Sequence, residues 1–204
     1  MSEPRYLLHA GLSALGAVGV YTSGVLTEPG QWVDVQLFGW AQRLHIGLLG
    51  DVLPYLARRV LPALMALVAL AYGLRSLVQG RAMLALQCLA LVVGSTSLCW
   101  LLREHVLGRP YYGDQYAYLH NTFPSTHVAL VVSLCAAVCL LARPTSRSLS
   151  GALVVVVVVS LLGNVVGHAH RPSDALGSLL VVTAGALLVR WRDLPPSSGS
   201  GRLP

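Results

Sequence analysis

The chain has 204 residues, 55% of them hydrophobic and 11% charged, and a mean hydropathy of +0.66. That balance excludes an ordinary soluble domain. The net charge of +6 comes from 14 arginines and no lysine. These arginines stand singly or in pairs between apolar runs, without a basic stripe interleaved with aromatics, so no nucleic-acid partner is expected.

The apolar runs predict six membrane spans, near Tyr6–Val25, Ala57–Leu77, Ala82–Leu102, Pro124–Leu141, Gly151–Val166 and Ala175–Val189. Met1–Arg5 and the first run lack a small-residue cleavage site, so the first run reads as a retained helix. Between the first two spans, Gln31 to Trp40 mixes tryptophans with polar residues and predicts a helix lying at the membrane interface, with Trp32 and Asp34 as anchors. The expected fold is an all-α, six-helix transmembrane bundle occupying residues 1–193. Residues 194–204, rich in proline, serine and glycine, read as a disordered tail. Arginine counting favours cytoplasmic N- and C-termini in a cell membrane. Cys88, Cys99, Cys135 and Cys139 all lie in apolar runs and read as packing residues. Ser95, Thr96 and Ser97 read as helix–helix hydrogen-bonding groups.

Three polar blocks interrupt the apolar pattern. Arg103 to Pro110 follows the third span, Phe123 to His127 opens the fourth, and His168 to Asp174 lies between the fifth and sixth. Polar and ionisable groups are costly beside lipid, which makes these blocks a functional site by default. The loops after the third and fifth spans are separated by two crossings, so they share one face of the membrane. There the blocks can meet. Arg103 and Arg109 offer forked donors for phosphate oxygens. Ser125 and the backbone N–H groups at a helix start offer more. His127 is placed to give a proton. His170 and Asp174 are four residues apart, so a carboxylate can hold an imidazole in one tautomer and make it a nucleophile. His105, His120 and His168 match no zinc spacing and read as loop or interfacial residues.

These blocks resemble the type 2 phosphatidic acid phosphatase superfamily of integral-membrane lipid phosphatases, whose pattern is Lys-x6-Arg-Pro, Pro-Ser-Gly-His and Ser-Arg-x5-His-x3-Asp. Pro124-Ser125-Thr126-His127 is similar to the second block, and His170-x3-Asp174 ends like the third. The His-Arg-Pro-Ser-Asp form is similar to that of some actinobacterial-type members. The resemblance implies that His170 takes the phosphoryl group, Asp174 orients it and His127 protonates the leaving alcohol. It also implies that Arg103, Arg109, Ser125 and Thr126 hold the phosphate, with no metal or other cofactor. Two departures stand out. The first block reads Arg103-x5-Arg109-Pro110, one residue short and with arginine for lysine. Gly163-Asn164 replaces Ser-Arg in the third, so Asn164 brings a hydrogen bond without charge, and Arg171 is the substitute cation.

The implied activity is hydrolysis of a lipid-linked phosphate or diphosphate at the outer face, of the phosphatidic acid, phosphatidylglycerol phosphate or polyprenyl phosphate class. The implied partners are that lipid phosphate and membrane lipids, and a homo-oligomer is compatible with the layout. A phosphotransferase on the same scaffold and a non-catalytic lipid-phosphate binder are the competing classes. An acceptor-dependent product would mark the first, and binding without phosphate release the second.

Overall fold

A computed structural model describes residues 3–113, 120–143 and 146–192. All regular structure in these residues is helical: α1 (Glu3–Gly19), α2 (Glu28–Gln42), α3 (Gly47–Tyr55), α4 (Leu61–Val78), α5 (Ala82–Leu101), α6 (Thr126–Leu141), α7 (Arg147–Val166) and α8 (Pro172–Arg192). Three segments in the wider π-helical geometry continue α1, join α3 to α4 and extend α5; they are Val20–Val25, Leu56–Val60 and Leu102–Val106. The expected tail, residues 194–204, falls outside the described residues.

Helix boundaries follow local chemistry. Thr27 caps α2 by accepting from Gly30 N at 3.1 Å, with Pro29 in the first turn. Ser125 and Ser146 cap α6 and α7 by accepting from Val128 N and Leu149 N. The α8 helix starts on Pro172 and ends with Arg190 and Arg192, which complement the negative end of its dipole. After α7 the chain turns through His168 at φ 55°, a left-handed conformation usually given to glycine.

Among the described residues, four helical stretches are long and apolar enough to cross a membrane: Gly47–Val78, Ala82–Val106, Arg147–Val166 and Pro172–Arg192. The first starts about ten residues before the predicted span at Ala57, because helix continues through Pro54 and the π segment. Pro4–Val25 and α2 together pass the same test but meet at 93°. The bend is tight: a Cβ on Gly30 would collide with the Ser23 carbonyl and Gly24. The predicted helix at Gln31 to Trp40 is thus the middle of α2. Only Trp32 of its two expected anchors is exposed, whereas Asp34 is buried.

The core forms around α6. This helix has 16 residues, about 24 Å at 1.5 Å per residue, less than a bilayer core needs. It packs against α4, α5, α7 and α8 and buries most of its length, including Val128, Val131 and Val138. Exposed leucines and valines lie instead on α1, α4, α5 and α7. Apolar residues facing outward and a buried central helix are what lipid as the outer solvent requires. Cys88, Cys99 and Cys135 pack in the interior as expected, but Cys139 is exposed.

Candidate active site

The polar blocks converge where the chain leaves α5, enters α6 and turns from α7 into α8. The loop after α5 is fastened to the α1–α2 bend. Gln31 donates to the carbonyls of Val25 (2.8 Å) and Pro110 (2.9 Å), Tyr21 to Gly108 (2.9 Å) and Tyr112 to Leu26 (2.7 Å). Asn121 ties the same loop to the head of α6, donating to Leu107 O and Phe123 O at 3.0 and 2.9 Å. The ring of Phe123 lies where Gly177 of α8 has no Cβ, and any side chain there would collide with it.

His170 is buried at the centre. Its Nδ1 lies 3.2 Å from the Thr122 carbonyl and 3.5 Å from Asp174 Oδ2. A carbonyl can only accept, so Nδ1 is the donor, and the lone pair of the neutral ring lies on Nε2. Asp174, also buried, is satisfied on both oxygens. Oδ1 accepts from Arg109 Nη2 at 2.7 Å, and Oδ2 accepts from Thr122 Oγ1 at 2.6 Å and Arg171 N at 2.8 Å. The bond to Arg171 N is the reach-back of a residue in the first helical turn to its cap. One carboxylate therefore both starts α8 and orients His170.

The Arg109 side chain is buried and turned towards carboxylates. Besides Asp174, it lies 3.8 Å from Asp34 Oδ2. Asp34 was expected at the membrane interface as an anchor. It instead accepts from Ser173 N at 2.9 Å and Ser173 Oγ at 2.7 Å, holding the first turn of α8 from α2. An apolar face on each side of a lone acid had hidden this role.

His127 stands at the head of α6, exposed, with its ring centroid 6.4 Å from that of His170. Partial burial and the neighbouring His170, and then the positive charges of Arg58, Arg103 and Arg59, disfavour its protonated form. Arg103 Nη1 approaches Thr126 Oγ1 at 3.4 Å, while Nε donates to Glu104 at 2.8 Å. Because Leu102–Val106 is π-helical, with Leu107 N bonded to Leu102 O at 2.7 Å, the helix changes register here. The phase of a regular α-helix does not apply to Arg103. Beside Thr126 a cavity of about 260 Å³ is bounded by Thr96, Ser97 and Trp100.

The other predicted phosphate ligands have different surroundings. Ser125 is fully buried, with its hydroxyl on Val128 N and its carbonyl accepting from Ser178 Oγ at 2.8 Å. Asn164 is fully buried and folds back onto Ser160 O at 2.8 Å. The Arg171 guanidinium sits over the Phe38 ring, 5.2 Å from its centroid. His168 meets the rings of Phe38 and His45 edge-on, and His105 meets Trp100. Sequence reasoning missed Thr122, Asp34 and Arg58. Thr122 lies three residues from Ser125 in a polar stretch; the other two carried no local signal beyond a charge in an apolar run.

No curated protein and no solved structure matches the chain. A family model described as PAP2 superfamily matches residues 99–194, which contain all three polar blocks. The match supports membership in the PAP2 superfamily, and phosphate-ester hydrolysis is the activity class that such membership supports.

Proposed function

We propose that the protein is an integral-membrane phosphatase that hydrolyses a lipid-linked phosphate or diphosphate at the outer face through a phosphohistidine. The observation that carries this reading is the fixed tautomer of His170, with Nδ1 on Thr122 O and Asp174 and Nε2 left as a nucleophile 6.4 Å, ring to ring, from His127.

In the reaction, Nε2 of His170 attacks phosphorus in line. The N–P bond forms as the P–O bond to the lipid breaks, and His127 gives its proton to the leaving oxygen. Asp174 stabilises the cationic imidazole. Water, deprotonated by His127, then attacks phosphorus and releases inorganic phosphate, returning both rings to their starting states. The two rings are neighbours, with centroids 6.4 Å apart, so nucleophile and acid belong to one site. Arg103 and Thr126 are the phosphate contacts best placed in this geometry, and Arg109 acts through Asp174.

An apolar cleft of about 670 Å³ favours a lipid substrate. It runs between α1, α5 and α8 and ends on Leu107, Phe123 and Pro124, beside the site. A hydrocarbon tail there would leave its phosphate at the polar blocks. With the termini in the cytoplasm, those blocks face outward.

The test is phosphate release by the detergent-purified protein from a panel of lipid phosphates and diphosphates, in EDTA. The wild type is expected to release phosphate, and His170→Ala to fall at least 10³-fold. Wild-type turnover in His170→Ala would rule out the phosphohistidine. Binding without release by the wild type would replace hydrolysis by a lipid-phosphate-binding role.

A further inference from the structure

We infer that Arg58, from the first half of the chain, is a phosphate-binding residue of this site and supplies the cation that α7 lacks. The inference rests on the phosphatase reading for its catalytic consequence, but not for the binding itself.

The end of α7 is where the need arises. A phosphoryl group between His127 and His170 carries two negative charges and must be met by fixed donors. The last turns of α7 lead directly to His170, yet their polar side chain, Asn164, is neutral, buried and turned back on Ser160. Arg109 and Arg171 are committed to carboxylates and to the Phe38 ring. Of the predicted cations, Arg103 is the one that reaches the residue next to His127, with Nη1 3.4 Å from Thr126 Oγ1.

The same helix end is capped from outside. Its final carbonyls accept from three side chains of the first half of the chain: Val165 O from Gln42 at 2.8 Å, Val166 O from His45 at 3.3 Å, and Gly167 O from Arg58 Nη2 at 2.6 Å. Gln42 performs this role without charge. Arg58 alone brings a permanent cation, and its partner carbonyl is three residues before His170. Its guanidinium has five N–H donors in a rigid fork, so one can rest on Gly167 O while others meet an oxyanion. The carbonyl that holds it thus sets the guanidinium at the turn that leads from α7 into His170.

Two glycines make this approach feasible. A Cβ on Gly163 would collide with Ala57 and come within 2.6 Å of Leu53 O. On Gly167 it would lie 2.7 Å from Pro54 Cβ and 2.8 Å from Arg58 Nη2. The Gly163-x3-Gly167 pair therefore brings the α3–α4 junction onto α7 and sets the arginine in place. Arg59, its neighbour, is exposed.

Orthovanadate binding to the full-length protein in detergent, followed by calorimetry, tests the assignment with Arg58→Gln, Arg58→Lys, Arg59→Gln and Gln42→Ala. Glutamine keeps a donor for Gly167 O and removes the charge. Arg58→Gln is expected to weaken vanadate binding at least tenfold, Arg58→Lys less, and Arg59→Gln by no more than about threefold. Gln42→Ala removes a cap from the same helix end and should lower the unfolding temperature with vanadate affinity unchanged. Wild-type affinity in Arg58→Gln would overturn the assignment, and so would an equal loss in Gln42→Ala, which would make Arg58 only a cap. Arg58-dependent vanadate binding by a wild type that releases no phosphate would defeat the hydrolase reading and leave this one standing. Full turnover by Arg58→Gln would do the reverse.

Discussion

The Nδ1 atom of His170 faces two oxygens, and the one it meets more closely belongs to a backbone carbonyl. That arrangement places the proton on Nδ1, and in the proposed reaction the carboxylate adds stabilisation for the cation formed on attack. Asp174→Asn keeps the volume but can present an amide N–H to Nδ1, reversing the tautomer. The variant should lose roughly 10²- to 10⁴-fold in kcat, with KM changed much less. Steady-state kinetics on the best substrate of the panel would check this. An unchanged kcat would mean that Thr122 O alone suffices to orient the ring. The same change removes the negative partner of buried Arg109, so a lower unfolding temperature should accompany it.

At the scale of elements, the site depends on how α8 receives the head of α6. Phe123 lies against Gly177, and the residues on either side of it, Thr122 and Pro124-Ser125, contact His170 and Asp174 or cap α6. Gly177→Ala should therefore act at a distance. Its methyl group would displace the Phe123 ring, cost about 1–3 kcal/mol in overpacking and shift the Thr122 carbonyl. A shift on the ångström scale lowers the rate by an estimated ~10²-fold. Thermal unfolding and phosphate release on Gly177→Ala would read both effects, and full activity with full stability would contradict this packing. The π-helical extension of α5 belongs to the same scale. By changing register at Leu102–Val106 it turns Arg103 towards Thr126, although the first block is a residue shorter than the family pattern.

For the whole molecule, the residues matched by the family model do not make the site alone. The first half contributes Asp34 to the start of α8, Gln31 to the Arg109 loop, and Gln42, His45 and Arg58 to the end of α7. These contacts span up to 139 residues in sequence, so the halves should unfold together. Asp34→Ala strips Ser173 N of its partner and Arg109 of one carboxylate. It should destabilise the protein by about 1–3 kcal/mol and lower activity through misplacement of α8. A single unfolding transition at lower temperature would agree. Wild-type stability would show that α2 merely rests on the bundle.

The sequence by itself determined the class of molecule, the helices and the chemical set. Long apolar runs can be satisfied only as helices in lipid, caps and prolines mark their ends, and His170 and Asp174 at a four-residue spacing share a face wherever helix forms. The predicted order of spans also put the three blocks at one end of the helices, where the structure has them converge. Only the tertiary structure decided what each arginine meets. Arg103, Arg109, Arg171 and Arg58 look alike as arginines between apolar segments, and their roles separate through burial and partners that no local pattern encodes. Arg109 is drawn to two buried carboxylates, Arg171 to an aromatic face and Arg58 to an orphan carbonyl beside His170. The physical reason is that a buried charge takes its meaning from what compensates it, and here the compensating groups lie on other helices.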